Sequence, residues 1–293
     1  MIKKTIRYFL KYGLIKTLTR SFLEIRRMLD GNSELPNVAN NTPVITSESN
    51  SAVVSKESEK IHTYQSREGA SINILSLFRE EVKLMKNPHI LELGSRDVMR
   101  ERLIHEGGQN LPPQYTGFDI PRLFGNDLVY KYTGFDIHNG LNVDVVGDAH
   151  ELSSFFRGDC FDVVISKAVF EHLAMPWKVV LEINKVLKQN GILYIDTLHT
   201  YPLHERPWDF WRFSGEAWKF LLNKWTGFEI IYSTLESPCK IVPETEIPSW
   251  LADHEAYLYS KVLARKISHY DKDRCKWEIK IMDVFESNYP RPH

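Results

Sequence analysis

Between residues 72 and 232 the apolar positions of this chain switch repeatedly between a helical rhythm and the unbroken runs of buried strands. Ile72, Leu75, Phe78, Val82 and Met85 line one face of a helix over residues 72–85, stopped by Pro88. His89-Ile-Leu-Glu-Leu93 follows as a strand apolar on both faces, as parallel sheets require. Glu92 is an acid at its carboxyl end, and Gly94 marks the turn into a helix from about Asp97 to Glu106, closed by Gly107-Gly108. Further strands are expected at residues 132–137, 143–146, 161–166, 192–195 and 228–232. Helices are expected from Pro176, buried through Val179, Val180, Ile183, Val186 and Leu187 and ending at Asn190-Gly191, and over Ala217–Trp225. Past Leu235 the pattern reads as Pro-broken loops with helices around Glu255–Ser268 and Cys275–Glu286. Strands and helices alternating at these lengths predict an α/β fold with a parallel sheet between helical layers.

The amino-terminal stretch follows another pattern. Ile2, Ile6, Leu10, Leu14, Leu18 and Phe22 recur every fourth residue among eight Lys and Arg, predicting a basic amphipathic helix over residues 1–30. Such a helix suits an anionic membrane surface, the protein's own core or a partner, so this segment is a candidate for peripheral contact with the inner face of a membrane. Residues 31–63 are rich in Asn, Ser, Thr, Val, Pro and Glu without a period and read as a flexible linker. The expected organisation is therefore helix 1–30, linker 31–63, a folded domain 64–235 and a helical extension 236–293.

Composition changes this picture little. Of 293 residues, 43% are hydrophobic and 26% charged, ordinary for a globular protein, and the net charge of −1 gives no reason to expect a nucleic-acid partner. Three widely spaced cysteines, Cys160, Cys239 and Cys275, suggest neither a disulfide framework nor zinc, which fits a reducing cytoplasm. No run reaches the roughly 18 apolar residues of a membrane span, and the basic start lacks the features of a signal peptide.

One feature is local. Tyr115-Thr-Gly-Phe-Asp-Ile120 is repeated identically as Tyr132-Thr-Gly-Phe-Asp-Ile137. The second copy leads directly into His138-Asn-Gly-Leu-Asn-Val143 and is read as the second strand; the first is read as part of an insertion, which makes Asp119 a rival to Asp136 for one role.

Residues 90–233 resemble class I S-adenosylmethionine-dependent methyltransferases of the type 11-like kind found with surface-polysaccharide biosynthesis. The resemblance rests on Ile90-Leu-Glu-Leu-Gly94, Gly134-Phe-Asp-Ile137, Val145-Val-Gly-Asp-Ala-His-Glu-Leu152, Phe161-Asp-Val-Val-Ile-Ser166, Phe170-Glu-His-Leu173 and Glu182-Ile-Asn-Lys-Val-Leu-Lys-Gln-Asn-Gly191, in that order. It implies a Rossmann-like three-layer αβα sandwich with a mostly parallel seven-stranded sheet. It also implies that Glu92, Gly94 and Ser95 hold the amino-acid end of the cofactor, that Asp136 takes the ribose hydroxyls and Ile137 the adenine face, and that Asp148 and Ala149 take the adenine edge. Ser166 and Lys167 would lie beside the methyl donor. Ser95-Arg96 stand where the family usually carries more glycine.

Methyl transfer to a hydroxyl needs a base, and histidine is the usual one near neutral pH. His172, His199 and His204 are the candidates after the fourth and fifth strands, with His204 preferred and His172 second. His204-Glu-Arg-Pro-Trp-Asp-Phe-Trp-Arg-Phe213 resembles a segment of methyltransferases from surface-polysaccharide gene sets. Trp208 and Trp211 suit the apolar face of a sugar, and Asp209 and Arg212 its hydroxyls, with Asp209 also a candidate for the chemistry; alternatively Asp209 and Arg212 pair with each other and hold the loop. Carboxylates with a histidine could also hold Mg²⁺, but no ligand spacing forces a metal, and no metal ligand is assigned. The reading is a cytoplasmic methyltransferase acting on a hydroxyl of a sugar or glycan intermediate, with a small-molecule or glycan substrate as its partner. Its rivals are a non-catalytic cofactor-binding scaffold tethered to a membrane or an enzyme, a nicotinamide-dependent oxidoreductase and a nucleic-acid methyltransferase. The oxidoreductase ranks low because Gly94-Ser-Arg-Asp-Val-Met99 is not Gly-x-Gly-x-x-Gly.

Overall fold

The computed structural model describes residues 73–105, 123–124, 128–242, 255–277 and 279–280. Seven strands form one sheet: β1 (His89–Leu93), β2 (Lys131–Asp136), β3 (Val145–Val146), β4 (Phe161–Lys167), β5 (Leu187–Leu198), β6 (Phe228–Cys239) and β7 (Ala256–Lys266). Their order is β3-β2-β1-β4-β5-β7-β6. Every pairing from β3 to β5 is parallel, and β7 is antiparallel to both of its neighbours. The carboxyl ends of β1 to β5 therefore share one edge of the sheet, where α/β folds bind ligands.

Helices cover both faces. Ile90, Val163, Ile165, Ile192 and Tyr194 pack with Ile74, Leu77, Phe78 and Val82 of α1 (Ile74–Lys83). The intervening Leu91, Leu93, Val164, Leu193 and Ile195 pack with α3 (Leu152–Phe155), α4 (Pro176–Val186) and α5 (Gly215–Leu221), and α2 (Val98–His105) follows β1. Alternation on two buried faces is what a central parallel sheet demands, and each large apolar side chain it buries stabilises by about 1.5–3 kcal/mol. This is the expected Rossmann-like sandwich.

Several elements differ from the sequence expectation. The first helix is shorter and rotated, burying Ile74 and Leu77 beside Phe78 and Val82, with Asn73 Oδ1 capping the amides of Leu75 and Ser76. α4 stops at Val186, because Leu187 already pairs with Phe161 of β4. α5 ends at Leu221, short of Trp225. The largest correction concerns Glu255–Ser268, expected as a helix: it contains β7, inserted between β5 and β6, so the sheet continues past residue 235. Two lysines disguised this strand. Lys261 Nζ meets Glu236 at 2.7 Å and Asp196 at 3.4 Å. The fully buried Lys266 Nζ bonds Asp159 and the carbonyls of Asn184 and Leu187. Cations satisfied this way can occupy a central strand. Cys275 to Trp277, where another helix was expected, are not helical. Residues 1–63, Gly107-Gly108, the first hexapeptide copy and most of the last expected helix lie outside the described residues. Among the described residues no helix is long and apolar enough to cross a membrane.

Candidate active site

The second hexapeptide copy forms β2, and its parallel register with β1 pairs Glu92 with Gly134 and Leu93 with Phe135, so Asp136 lies one step beyond the end of β1. Asp136 pairs with Val146 of β3, which leaves Asp148 two residues further on. Glu92, Asp136 and Asp148 thus stand at neighbouring strand ends, as expected.

Their surroundings differ. Glu92 is buried, and one oxygen, Oε2, accepts the Tyr132 hydroxyl at 2.6 Å. Burial raises its pKa to about 7, helped by the charges of Asp97 and Asp136 and opposed by the Tyr132 hydrogen bond and by Lys167. Asp136 accepts the backbone N–H of Arg96 on one oxygen and that of His138 on the other. These bonds tie the β1 turn to β2 and leave lone pairs for a ligand, since a carboxylate offers about four acceptor sites. Asp148 Oδ1 accepts the amide of His150 and lies 2.6 Å from His150 Nδ1. His150 is fully buried and its Nε2 accepts the Met175 amide, so Nδ1 carries the proton and donates to Asp148. Ile137, half-buried, follows Asp136, and the buried Ala149 opens the short turn capped by Asp148.

The β1 turn is tightly built. Gly94 has φ +73°, and a Cβ there would stand 2.1 Å from a Val169 methyl. Only glycine lets this turn approach the segment after β4 so closely. Ser95 is buried next to it, and the side chain of Arg96 pairs with Glu101 at 2.7 Å. Ser166, level with Leu93 of β1 and Ile195 of β5, is fully buried, and its hydroxyl has no hydrogen-bond partner among the described residues. Lys167 follows it, exposed.

The aromatic loop after β5 is stitched down over the short turn Phe170–His172. The Glu171 carbonyl accepts the amides of Phe210 and Trp211, and the Trp208 carbonyl accepts His172 Nδ1 at 2.8 Å. The Trp211 indole donates to the Leu173 carbonyl at 2.7 Å, with the ring edge-on to Trp177 and partly exposed. Trp208 is half-buried. Asp209 was read as facing substrate, with its pairing to Arg212 as the alternative. Its side chain is fully buried, bonded through both oxygens by Arg212 and through Oδ2 by the His204 amide. Arg212 also donates to the carbonyls of Tyr201 and Pro202. The pair therefore fastens the loop. It leaves the imidazoles of His172 and His204 edge-to-face, with centroids 4.8 Å apart. His199 Nδ1 is within hydrogen-bond distance of the Thr200 hydroxyl and the Tyr257 carbonyl.

Sequence reasoning assigned no role to Tyr132, His150 or Glu171. The first two are visible only once strands pair. Glu171 stood beside His172 in the sequence, but its full burial is a tertiary fact. A separate open cavity of about 730 Å³, bordered by Phe220, Trp225 and Trp277, lies at the start of β6, the opposite edge of the sheet.

Residues 114–195 match the family described as a methyltransferase domain. No curated protein matches the sequence. Among solved structures, a SAM-dependent methyltransferase from Archaeoglobus fulgidus aligns at TM-score 0.42 and 15% identity, over 66% of this chain and 93% of that one. The 1,6-didemethyltoxoflavin-N1-methyltransferase of Burkholderia thailandensis, bound to S-adenosylhomocysteine, aligns at 0.40 and 14%, over 67% and 77%. The [4+2]-cyclase SpnF aligns at 0.41 and 15%, over 66% and 79%. These likenesses say nothing about the reaction.

Proposed function

We propose that this S-adenosylmethionine-dependent methyltransferase methylates a hydroxyl of a sugar or glycan intermediate. The residues at the strand ends fit the cofactor. A cationic amino-acid end calls for a buried acid with spare acceptor capacity, which Glu92 supplies. The orphaned Ser166 hydroxyl and the turn that only glycine can form suit a closely held polar ligand. When bound, S-adenosylmethionine supplies an electrophilic methyl group on a sulfonium sulfur.

In this reading Glu92, with the backbone at Gly94 and Ser95, holds the amino-acid end. Asp136 accepts the ribose hydroxyls, Ile137 packs on adenine, and Asp148 and Ala149 meet its edge. Ser166 and Lys167 border the reacting end. His150 and Tyr132 position Asp148 and Glu92. On the acceptor side, Trp208 and Trp211 offer ring faces to a sugar, His204 takes the hydroxyl proton, and His172 stands beside it. Asp209 and Arg212 keep His204 in place. The observation that carries the reading is the aromatic loop, fastened so that the His204 imidazole meets that of His172 in the turn after β4, next to Val169, which Gly94 approaches.

The test is methyl transfer from labelled S-adenosylmethionine to monosaccharides, nucleotide sugars and lipid-linked sugars. Labelling of none of these, by protein that binds the cofactor, would remove the acceptor class. A cytoplasmic location with peripheral membrane contact through residues 1–30 is part of the same proposal. Its check is loss of co-sedimentation with anionic vesicles when those residues are deleted.

A further inference from the structure

Glu171, His172 and His204 each offer a ligand atom, and the three lie within 4.8 Å of one another. We propose that they form a binding site for a divalent first-row transition-metal ion, of the two-histidine, one-carboxylate type. This rests on the reading of the loop as the acceptor end of the site and changes one role in it, since a metal-bound His204 is a ligand and no longer the base; the observations behind it are different.

The first is an unsatisfied buried acid. Glu171 is fully buried; its Oε2 accepts the Thr197 hydroxyl, while Oε1 has no partner among the described residues. A buried carboxylate oxygen without a donor is costly, and a cation or an additional proton would relieve that cost. The second is the histidine geometry. Nδ1 of His172 faces the Trp208 carbonyl, so it carries the proton and Nε2 keeps its lone pair. A ring nitrogen held by a carbonyl while the other binds metal is the usual arrangement of metal-ligating histidines. His204 Nδ1 is buried without a hydrogen bond, 3.3 Å from Asp209 Oδ2. Glu205, exposed and 3.9 Å from His172 Nε2, is within reach as a further oxygen ligand.

Ligand type decides the metal class. Two imidazoles and a carboxylate favour Zn²⁺, Fe²⁺, Co²⁺ or Mn²⁺ over Mg²⁺ and Ca²⁺, which prefer oxygen alone. Glu171, held by the Thr197 hydroxyl, is the buried wall of this site.

Titrating the full chain with Co²⁺ tests this, by visible absorption and by equilibrium dialysis. One Co²⁺ per chain at micromolar concentration is expected, displaced by Zn²⁺. His204→Gln, on the exposed loop, and His172→Gln are each expected to weaken binding at least a hundredfold, while His199→Gln leaves it unchanged. Circular dichroism confirms that each variant is folded. The proposal fails if no stoichiometric Co²⁺ binds, if binding survives in the His172→Gln/His204→Gln double variant, or if only Mg²⁺ binds. Metal binding is read without methyl transfer, so a wrong acceptor class and a wrong metal site remain distinguishable.

Discussion

Glu92 and Asp209 are both withdrawn from solvent on the same edge of one sheet, yet the fold treats them oppositely. Asp209 meets a bidentate guanidinium and a backbone amide, and Arg212 first of all holds its carboxyl well below the usual range. Among the described residues Glu92 meets one tyrosine hydroxyl and no cation at bonding distance, and burial lifts it to about 7. An acid fully satisfied by its own protein is part of the framework. One left short of partners costs stability that a cationic ligand can return, which makes it a candidate binding group.

The contrast can be broken most sharply at Asp209. Asp209→Asn should cost about 3 kcal/mol, because Arg212 loses its partner in a mostly buried site. Melting should show that loss, and transfer activity should fall about a hundredfold, while cofactor affinity by calorimetry changes less than about threefold. Equal loss of cofactor affinity would erase the distinction between the two acids.

Glu92→Gln should do the reverse. Cofactor affinity should fall about 10- to 100-fold, since a charge-assisted bond is lost. Stability near pH 8 should rise by roughly 1–3 kcal/mol. Folded Glu92 keeps its proton up to about pH 7, whereas an ordinary glutamate releases it near 4.5. The folded state is then the proton-richer one between these values, so its stability falls as pH rises through the window. Melts at pH 5 and pH 8 should show this decline in the wild type and a flatter response in Glu92→Gln.

Ligand binding has the opposite sign. A cationic cofactor needs the carboxylate, so its Kd should rise up to about tenfold for each pH unit below about 7 and level off above it. Calorimetry from pH 5.5 to 8.5 measures this, and a flat profile would place the cofactor's cation elsewhere.

Smaller effects sharpen the same comparison. Arg212→Lys keeps the charge but loses the fork, and should cost about 1–2 kcal/mol by melting. Tyr132→Phe removes the bond that favours ionised Glu92, and should move the midpoint of the cofactor pH profile upward by less than about one unit. A downward shift would mean that the tyrosine favours the protonated acid.

Much of this was readable in the chain. Ile90-Leu-Glu-Leu93 and Val163-Val-Ile165 announce buried strands because parallel strands between two helical layers must be apolar on both faces. Gly94 and Asp136 could be placed because glycine turns and strand-end acids are local features. β7 could not be placed, since Lys261 and Lys266 look like surface residues until Asp196, Glu236 and Asp159 arrive from distant segments. The first helix was rotated for a related reason: its periodicity admits more than one apolar face, and contact with β4 and β5 selects one.

The order of strands and helices as far as β6, the acids at strand ends and the aromatic loop were thus set by local pattern alone. Which acid is satisfied and which is left short was decided only by tertiary structure, as was the gathering of Glu171, His172 and His204. Electrostatic environment depends on neighbours through space, and folding brings those neighbours from parts of the chain that no local pattern connects.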